Sequence, residues 1–223
     1  MKELKNYPLY EVTPVHSIRE LLKIAEDEAA DKTAFRYRVD QDTIRDITYR
    51  DFIRDVHALG SALTERGLID AHIAQIGENS YRWITVYLAA LAGDGVYVPV
   101  DKDLPEPDIL NILNHSDSTV LFYTGTYDDL VRRNADGALA RIKLFIRVTN
   151  DDRVSDEDCR ADYFGDDPRF VSYRDFIAHG YELLDGGYDK YDAHMSGEYD
   201  LKMITVKEID MVKFLKDFSL GRI

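Results

Sequence analysis

The chain has 223 residues, of which 45% are apolar and 31% are charged, and 42 acidic against 28 basic residues give a net charge of -14. This is the composition of a globular protein, and its acidity argues against binding to nucleic acid or anionic lipid, which proteins bind through clustered Lys and Arg. The single cysteine, Cys159, cannot form an internal disulfide. The longest apolar run, residues 84–92, is too short to cross a membrane. These features favour a soluble cytoplasmic protein.

The first part of the chain predicts two helices around a β-hairpin. Residues 17–25 combine capping-box spacing with apolar residues at helical intervals. Residues 33–39 and 43–49 are β-prone runs on either side of a turn-like Asp-Gln-Asp, which is the pattern of a hairpin. Thr48 is the predicted N-cap of a second helix, which ends at Gly67.

The middle of the chain alternates short apolar runs with helical patterns. The predicted strands are residues 73–76, 96–100, 119–123 and 142–148, and the predicted helices are residues 81–92, a segment that starts between Pro105 and Pro107, and residues 127–139. Such alternation predicts βαβ units and a mainly parallel sheet. Because the strands are apolar throughout, helices are expected on both faces of the sheet. The predicted fold class is therefore α/β with an N-terminal β-hairpin.

After Asn150 the character of the sequence changes. Residues 151–167 contain eight acidic residues and two arginines and are predicted to form an exposed loop. Residues 172–184 predict a further helix, and residues 185–199 a loop. A second capping box then precedes an amphipathic helical pattern, formed by Thr205 and Glu208 followed by Ile209, Val212, Leu215 and Phe218.

One local repeat is visible, since residues 47–53 resemble residues 171–177. Duplication is one interpretation. The other is that both segments are a strand end, a hydroxyl N-cap and a helix start, which is favoured because the similarity does not extend beyond seven residues.

Two glycine-containing segments have partial features of nucleotide loops. Residues 93–95, Gly-Asp-Gly, begin like a dinucleotide loop, but a Val replaces the third Gly and a strand follows, so a helix end is favoured. Residues 124–126, Thr-Gly-Thr, follow a strand and open a helix, which is the geometry that binds phosphate. No Lys follows them, and Asp128 and Asp129 would repel a phosphate, so simple helix capping is favoured.

Metal and nucleophile patterns are weak. The acidic residues between 151 and 162 could surround Ca²⁺, but they lack the Gly and the final Glu of a calcium loop, and a solvated loop is favoured. Acidic neighbours are expected to raise the pKa of Cys159 and blunt its reactivity. The six histidines are far apart in the sequence and have no metal-ligand spacing: His16, His57, His72, His115, His179 and His194.

A longer, ordered set of segments carries a resemblance. It comprises Ile-Thr-Tyr at 47–49, Arg-Gly-Leu at 66–68, Ile-Ala-Gln-Ile-Gly-Glu-Asn-Ser-Tyr-Arg-Trp at 73–83, Tyr-Leu-Ala-Ala-Leu-Ala-Gly at 87–93 and Val-Pro-Val-Asp-Lys-Asp-Leu-Pro at 98–105. Together these segments resemble the opening of AMP-forming acyl-CoA synthetases, and the last is similar to the long-chain fatty acid ligase branch. Residues 199–203 resemble the lead-in to that family's phosphate-binding loop, and the resemblance runs from about residue 10 to residue 203.

The resemblance implies a two-step reaction in a complete enzyme. A fatty carboxylate attacks the α-phosphate of ATP to give an acyl-adenylate, and the thiol of coenzyme A then displaces AMP, with Lys and Mg²⁺ stabilising the phosphate charge. After Met203, however, this chain has Glu208 and Asp210 where a phosphate loop needs small neutral residues. No catalytic, cofactor-binding or metal-binding residue is therefore assigned, and ATP, Mg²⁺ and coenzyme A are implied only for a complete enzyme.

Three hypotheses follow. The first takes residues 1–203 as the N-terminal subdomain of a long-chain fatty acid-CoA ligase, inactive alone, with residues 204–223 as a departing helical tail. The second is a stand-alone, non-catalytic interaction or dimerisation module on the ligase scaffold, which associates with itself or with a full-length ligase. The third, which the sequence supports least, is another kind of enzyme with a metal site at residues 151–167.

Overall fold

The structure is a computed structural model that describes residues 14–38, 42–149, 165–193 and 202–204. The strands are β1 (Thr33–Arg38), β2 (Ile44–Thr48), β3 (His72–Ile76), β4 (Val96–Val100), β5 (Val120–Thr124), β6 (Leu144–Val148) and β7 (Phe170–Ser172). The helices are α1 (Ile18–Ala29), α2 (Tyr49–Glu65), α3 (Tyr81–Ala92), α4 (Glu106–His115), α5 (Asp128–Asn134), α6 (Tyr173–Asp185) and α7 (Lys190–Ala193). Among the described residues, no helix is long and apolar enough to span a membrane.

The apolar strands form one parallel sheet. Its order is β4-β3-β5-β6-β7, and each neighbouring pair is parallel. Strands β1 and β2 form a separate antiparallel hairpin. The predicted α/β class, parallel sheet and N-terminal hairpin are therefore confirmed.

Both faces of the sheet are covered, because successive side chains in a strand point to opposite sides. One face packs against α2, α3 and α6, and the other packs against α4 and α5. The strand residues on the first face are Ile73, Tyr97, Val120, Phe122, Leu144 and Ile146, and those on the second are Ala74, Ile76, Val98, Leu121, Tyr123 and Phe145. The helices on both faces are thus as predicted.

The two segments of the repeat, residues 47–53 and 171–177, have the same local structure: a strand end, a hydroxyl N-cap and a helix start. The Thr48 hydroxyl accepts a hydrogen bond from the Asp51 amide at 3.1 Å, and the Ser172 hydroxyl accepts one from the Asp175 amide at 3.0 Å. Each cap ends a strand, β2 or β7, and begins a helix, α2 or α6. This geometry is that of a hydroxyl N-cap after a strand.

Two local predictions were wrong. The predicted helix at residues 127–139 is a 3₁₀ turn followed by α5, which already ends at Asn134. The Asn134 side chain donates to the Leu130 carbonyl and to the Glu106 carboxylate, so it ties the helix end to α4. The predicted loop at 185–199 contains α7, in which Tyr191 is almost fully buried. The predicted helix after Thr205 and the acidic segment up to residue 164 lie outside the described residues.

Residues 202–204 lie beside the free edge of β4. The Tyr97 amide donates to the Lys202 carbonyl at 2.8 Å, and the Ile204 amide donates to the Tyr97 carbonyl at 3.0 Å, which is a parallel bridge. Pro99 is also on this outer edge of β4, where its missing N–H costs no bond to β3. Residues 202–204, the lead-in segment, therefore form one parallel bridge with the outer edge of β4.

Candidate functional site

The topology points to the boundary between β3 and β5. The chain crosses one face of the sheet through α3 to reach β4, and it returns across the other face through α4 to reach β5. In open α/β sheets, ligands bind in the crevice that opens at the carboxyl ends of strands at such a switch point. The residues that follow β3 and β5 are therefore the candidate site.

The Thr124 side chain lies against Gly77 at this boundary. Gly77 has a φ of +148°, and a Cβ added there would overlap the Thr124 side chain, with its hydroxyl at 2.8 Å. A side chain at position 77 is thus disfavoured by both backbone conformation and space. The Thr124 hydroxyl oxygen is buried and has no hydrogen-bond partner among the described residues, and it does not cap the turn that follows. The predicted capping role of residues 124–126 is in this respect wrong.

The cations at this edge are already paired. The Arg147 guanidinium, at the end of β6, makes a two-pronged contact with the Asp128 carboxylate, with Nε–Oδ1 and Nη2–Oδ2 distances of 2.8 Å. Gly125 makes room for it, because a Cβ there would lie 2.5 Å from Arg147 Nη2. The Lys102 ammonium lies 3.2 Å from a Glu78 carboxylate oxygen, and Glu78 with Asp103 raises the pKa of Lys102.

A phosphate group does not fit these described residues. Arg147 and Lys102 are each held by a carboxylate, and α5 is only seven residues long. Asp128 is neutralised by Arg147, so the ion pair offers an incoming anion no net attraction. Among the residues that the structure describes, Arg147 and Lys102 are thus engaged by carboxylates, and the absence of assigned cofactor residues stays a prediction.

The segment at residues 93–95 is a helix end. The Gly93 amide donates to the Ala89 carbonyl in the last turn of α3. Its carbonyl accepts a hydrogen bond from the Lys202 ammonium at 2.7 Å. The Gly-Asp-Gly sequence thus joins α3 to β4 rather than forming a dinucleotide loop.

Backbone carbonyls at the C-terminal end of α3 accept hydrogen bonds from side chains of three distant segments. The Tyr191 hydroxyl donates to the Ala89 carbonyl at 2.9 Å, and Arg19 Nε donates to the Ala92 carbonyl at 2.7 Å. With Lys202 on Gly93, two cations lie at the negative end of the helix dipole, where charge of that sign is favourable. The arrangement fixes α7 and the segment at 202–204 relative to the sheet.

A buried carboxylate in α2 was not found from the sequence. Asp55 accepts hydrogen bonds from the Tyr81 hydroxyl at 2.6 Å and from the Tyr181 hydroxyl, so it joins α2 to α3 and α6. Burial raises the pKa of Asp55, although the two tyrosine hydrogen bonds oppose this shift. Burial and the Asp55 charge also raise the pKa of Tyr81. An acidic residue one position before Val56 in an amphipathic helix gives no sequence signal of such a partner set.

The pH dependence of stability should separate Asp55 from Asp192. The pKa of Asp55 is higher in the folded protein than its ordinary value of 3.8. The free energy of unfolding of the wild type should therefore fall, relative to Asp55→Asn, as pH rises from 3.8 through the raised pKa. The pKa of Asp192 is lowered, first by its hydrogen bond with His57, so its contribution is present above 3.8 and is lost as pH falls below that value.

Urea unfolding of wild type, Asp55→Asn and Asp192→Asn from about pH 3 to about pH 7 measures both effects. The two differences in unfolding free energy should change with pH in opposite directions. Parallel curves for the two variants would contradict the assignment of opposite pKa shifts.

The described histidines contact separate, non-metal partners. His57 Nδ1 contacts the Asp192 carboxylate at 2.8 Å, His179 contacts Glu65 at 3.5 Å, and His72 contacts the Ser116 carbonyl. Within residues 14–38, 42–149, 165–193 and 202–204, no three His, Cys, Asp or Glu side chains could hold a metal ion. His194, Cys159 and most of the acidic segment at 151–167 lie outside these ranges.

Comparison of the whole sequence with known proteins gives partial relatives. The chain is 26% identical over 131 residues to tyrocidine synthase 1 of Brevibacillus parabrevis, which is 58% of this chain and 12% of that protein. It is 34% identical over 76 residues to a mycosubtilin synthase of Bacillus subtilis, covering 34% of this chain and 3% of that protein. The chain thus spans only a small part of these relatives.

The fold matches solved structures over more than half of the chain. The A domain of the carboxylic acid reductase from Segniliparus rugosus, in complex with AMP and a carboxylic acid, has a TM-score of 0.60 at 16% identity, over 74% of this chain and 30% of that one. A fatty acyl CoA synthetase of Mycobacterium tuberculosis has a TM-score of 0.51 at 21% identity, over 60% of this chain and 27% of that one.

A family model shows to which protein family the chain belongs. The model of the AMP-binding enzymes matches residues 22–173, from α1 to the first residue of α6, which is more than half of the chain and includes all five strands of the parallel sheet. The chain therefore belongs to the AMP-binding enzyme family, the adenylate-forming ligases.

Proposed function

We propose that residues 1–203 form the N-terminal α/β unit of an enzyme that activates a long-chain fatty acid as its adenylate and transfers it to coenzyme A. The observation that carries the proposal is the family match over residues 22–173. The lead-in segment at residues 202–204 adds support, because it pairs with the edge of β4 just before the point where the resemblance locates a phosphate loop. Residues 204–223 are proposed to be a tail outside this unit.

The substrate class rests on one segment. Residues 98–105 resemble the long-chain fatty acid ligase branch, and a fatty acyl CoA synthetase is among the similar structures. The peptide synthetases among the relatives favour an amino acid instead. The single cysteine is consistent with the cytoplasm, where thiols remain reduced.

We expect the 223-residue chain to be inactive alone, because Glu208 and Asp210 occupy the place of the phosphate loop and the described cations Arg147 and Lys102 at the carboxyl edge are paired. Exchange of labelled pyrophosphate into ATP, with Mg²⁺ and a panel of fatty acids, amino acids and aryl acids, tests this directly. Exchange above the no-enzyme rate would contradict inactivity, and the acid that supports it would identify the substrate class.

A chimaera tests the substrate class with a positive readout. Residues 14–204 would replace the equivalent segment of a fatty acyl-CoA ligase and, in parallel, of a peptide synthetase adenylation domain. Fatty-acid-dependent exchange by the first chimaera and none by the folded second supports the proposal. The reverse result would contradict the fatty acid assignment.

The alternative is a non-catalytic interaction module on the ligase scaffold. The paired cations at the carboxyl edge favour it, because Arg147 and Lys102 are already engaged by Asp128 and Glu78. Sedimentation at increasing concentration tests self-association, and pull-down with a full-length ligase tests the second partner. A monomer that retains no ligase would contradict this alternative.

A further inference from the structure

A histidine of α2 and a carboxylate of α7 form a contact whose charge depends on pH. The His57 Nδ1 atom lies 2.8 Å from a carboxylate oxygen of Asp192. The His57 ring also packs edge-on against the ring of Tyr191, with centroids 5.7 Å apart. Tyr191 is almost fully buried and anchors α7 in the core. Two successive residues of α7 are therefore in contact with this one imidazole.

A second cation contacts α7, but its charge does not change with pH. The Arg19 guanidinium, from α1, donates a hydrogen bond to the Tyr191 carbonyl and lies over the Tyr191 ring, 4.6 Å from its centroid. It also approaches the Asp192 carboxylate to 3.6 Å. A guanidinium keeps its proton at every pH at which proteins are folded. Arg19 therefore supplies a constant part of the contact with α7, and His57 supplies the part that depends on pH.

The imidazole is accessible to protons from the solvent. His57 is 32% exposed and borders a cavity of about 250 Å³ between α1, α2 and α6. The other charged groups of this cavity are Glu26 of α1 and Arg50 and Arg54 of α2, and Leu184 is the lining residue from α6. Among these types of side chain, only an imidazole ordinarily changes its charge between about pH 5 and about pH 8.

Protonation of His57 strengthens its contact with Asp192. The pKa of Asp192 is lowered, first by its hydrogen bond with His57, so this carboxylate is charged throughout the range in which an imidazole titrates. When the ring is protonated, both partners are charged and the contact is a hydrogen-bonded ion pair. When the ring is neutral, the attraction between two opposite charges is lost. The contact is therefore stronger at low pH and weaker as pH rises.

We propose that His57 and Asp192 form a pH-sensitive clasp that holds α7 on the C-terminal end of α3, tighter at about pH 5.5 and looser at about pH 8. The clasp acts on this end of α3 because the Tyr191 hydroxyl, from the same short helix, donates to the Ala89 carbonyl there. This inference is independent of the proposed enzymatic function, because none of these residues lies at the carboxyl-edge crevice.

Hydrogen exchange of the Ala193 amide, which donates to the Asp189 carbonyl, reports the opening of α7. Its protection factor, which corrects for the intrinsic effect of pH on exchange, should fall about two- to fivefold between about pH 5.5 and about pH 8, the range expected for a partly exposed ion pair. The fall should be absent in His57→Gln. The matched control, His179→Gln, removes an imidazole that contacts Glu65 instead of α7, and it should keep the fall. A constant wild-type protection factor, or a fall that persists in His57→Gln, would overturn the proposal.

A double-variant cycle keeps the test valid if either substitution alone loosens α7. Urea unfolding gives the coupling between His57→Gln and Asp192→Asn at both pH values. Expressed as an equilibrium constant, this coupling should be about two- to fivefold larger at about pH 5.5 than at about pH 8. The coupling between Arg19→Gln and Asp192→Asn should change by less than that, because a guanidinium does not titrate. A His57–Asp192 coupling that is equal at the two pH values would contradict the clasp, and pyrophosphate exchange reports the enzymatic proposal separately.

Discussion

Gly180→Ala should destabilise the protein by about 3 kcal/mol or more, at the upper end of the usual cost of overpacking. Helices α2 and α6 cross with backbone against backbone at this residue. A Cβ at position 180 would overlap the carbonyl oxygen of Ala58, and it would lie 2.5 Å from the carbonyl carbon and 3.0 Å from the Cα of that residue. These atoms belong to the backbone of a fully buried turn of α2, so no side chain can move aside.

Helix propensity alone predicts that Gly180→Ala stabilises the protein, whereas the backbone overlap predicts that it destabilises the protein. The measurement therefore distinguishes the two. Within a helix, replacing Gly by Ala is ordinarily worth about 1 kcal/mol in favour of Ala. Gly137→Ala is the matched control, because its nearest neighbour is the Asn134 carbonyl oxygen at 3.8 Å, and we expect a change within about 0.5 kcal/mol. Urea denaturation gives both values. A Gly180→Ala protein as stable as Gly137→Ala would mean that α2 and α6 separate freely.

The sheet and the helix starts were predictable because their determinants are local. The apolar runs that became β3 and β4 are bounded by turn residues, and no other periodicity competes for them. Thr48 and Ser172 were recognisable as caps because the hydroxyl and the amide that it caps are three residues apart. The resemblance to adenylate-forming enzymes was carried by these same segments, and the family match confirms it.

The departures from prediction have distant causes. Helix α5 ends early where the Asn134 side chain reaches Glu106 of α4, 28 residues away. Helix α7 forms where the Tyr191 side chain is buried against Gly60 of α2 and hydrogen-bonded to Ala89 of α3. Residue patterns within a window of ten to fifteen positions contain neither partner. Tertiary packing therefore overrides the local signal at these two places.

For the candidate site, the sequence supported only a negative prediction, namely that residues 124–126 do not bind phosphate. The two acidic residues after Thr-Gly-Thr argued against phosphate, but the sequence did not indicate that Arg147 would neutralise Asp128 from a strand 19 residues away. The Asp55 cluster needed three helices to meet before its hydrogen bonds existed. Both arrangements depend on side chains that only the sheet order brings together.

The C-terminal end of α3 connects these observations to function. Tyr191, Arg19 and Lys202 donate to three carbonyls at that helix end, and Lys202 belongs to the lead-in segment that is bridged to the edge of β4. The position of the lead-in segment therefore depends on α7 as well as on its own backbone bonds. Substitution of Tyr191 should therefore change both the free energy of unfolding and the hydrogen exchange of the Tyr97 amide at the edge of the sheet.

Tyr191→Ala should lower the free energy of unfolding by about 3 to 5 kcal/mol, the usual cost of removing a large buried aromatic side chain. The side chain is 1% exposed, and its ring packs directly on Gly60 of α2. Tyr191→Phe keeps the ring and loses only the hydrogen bond to the Ala89 carbonyl, so we expect a cost of about 1 kcal/mol. Urea denaturation of the two variants measures the difference.

Gly60→Ala supplies the coupling test. A Cβ at position 60 would overlap the Tyr191 ring, so the single substitution should be strongly destabilising, whereas in the Tyr191→Ala background the added methyl group occupies the vacated space. The double variant should therefore lose less stability than the sum of the two single variants. Hydrogen exchange at the Tyr97 amide, which donates to Lys202, should accelerate in Tyr191→Ala and not in Tyr191→Phe. Additive losses, or an unchanged Tyr97 amide, would show that α7 does not hold the lead-in segment in place.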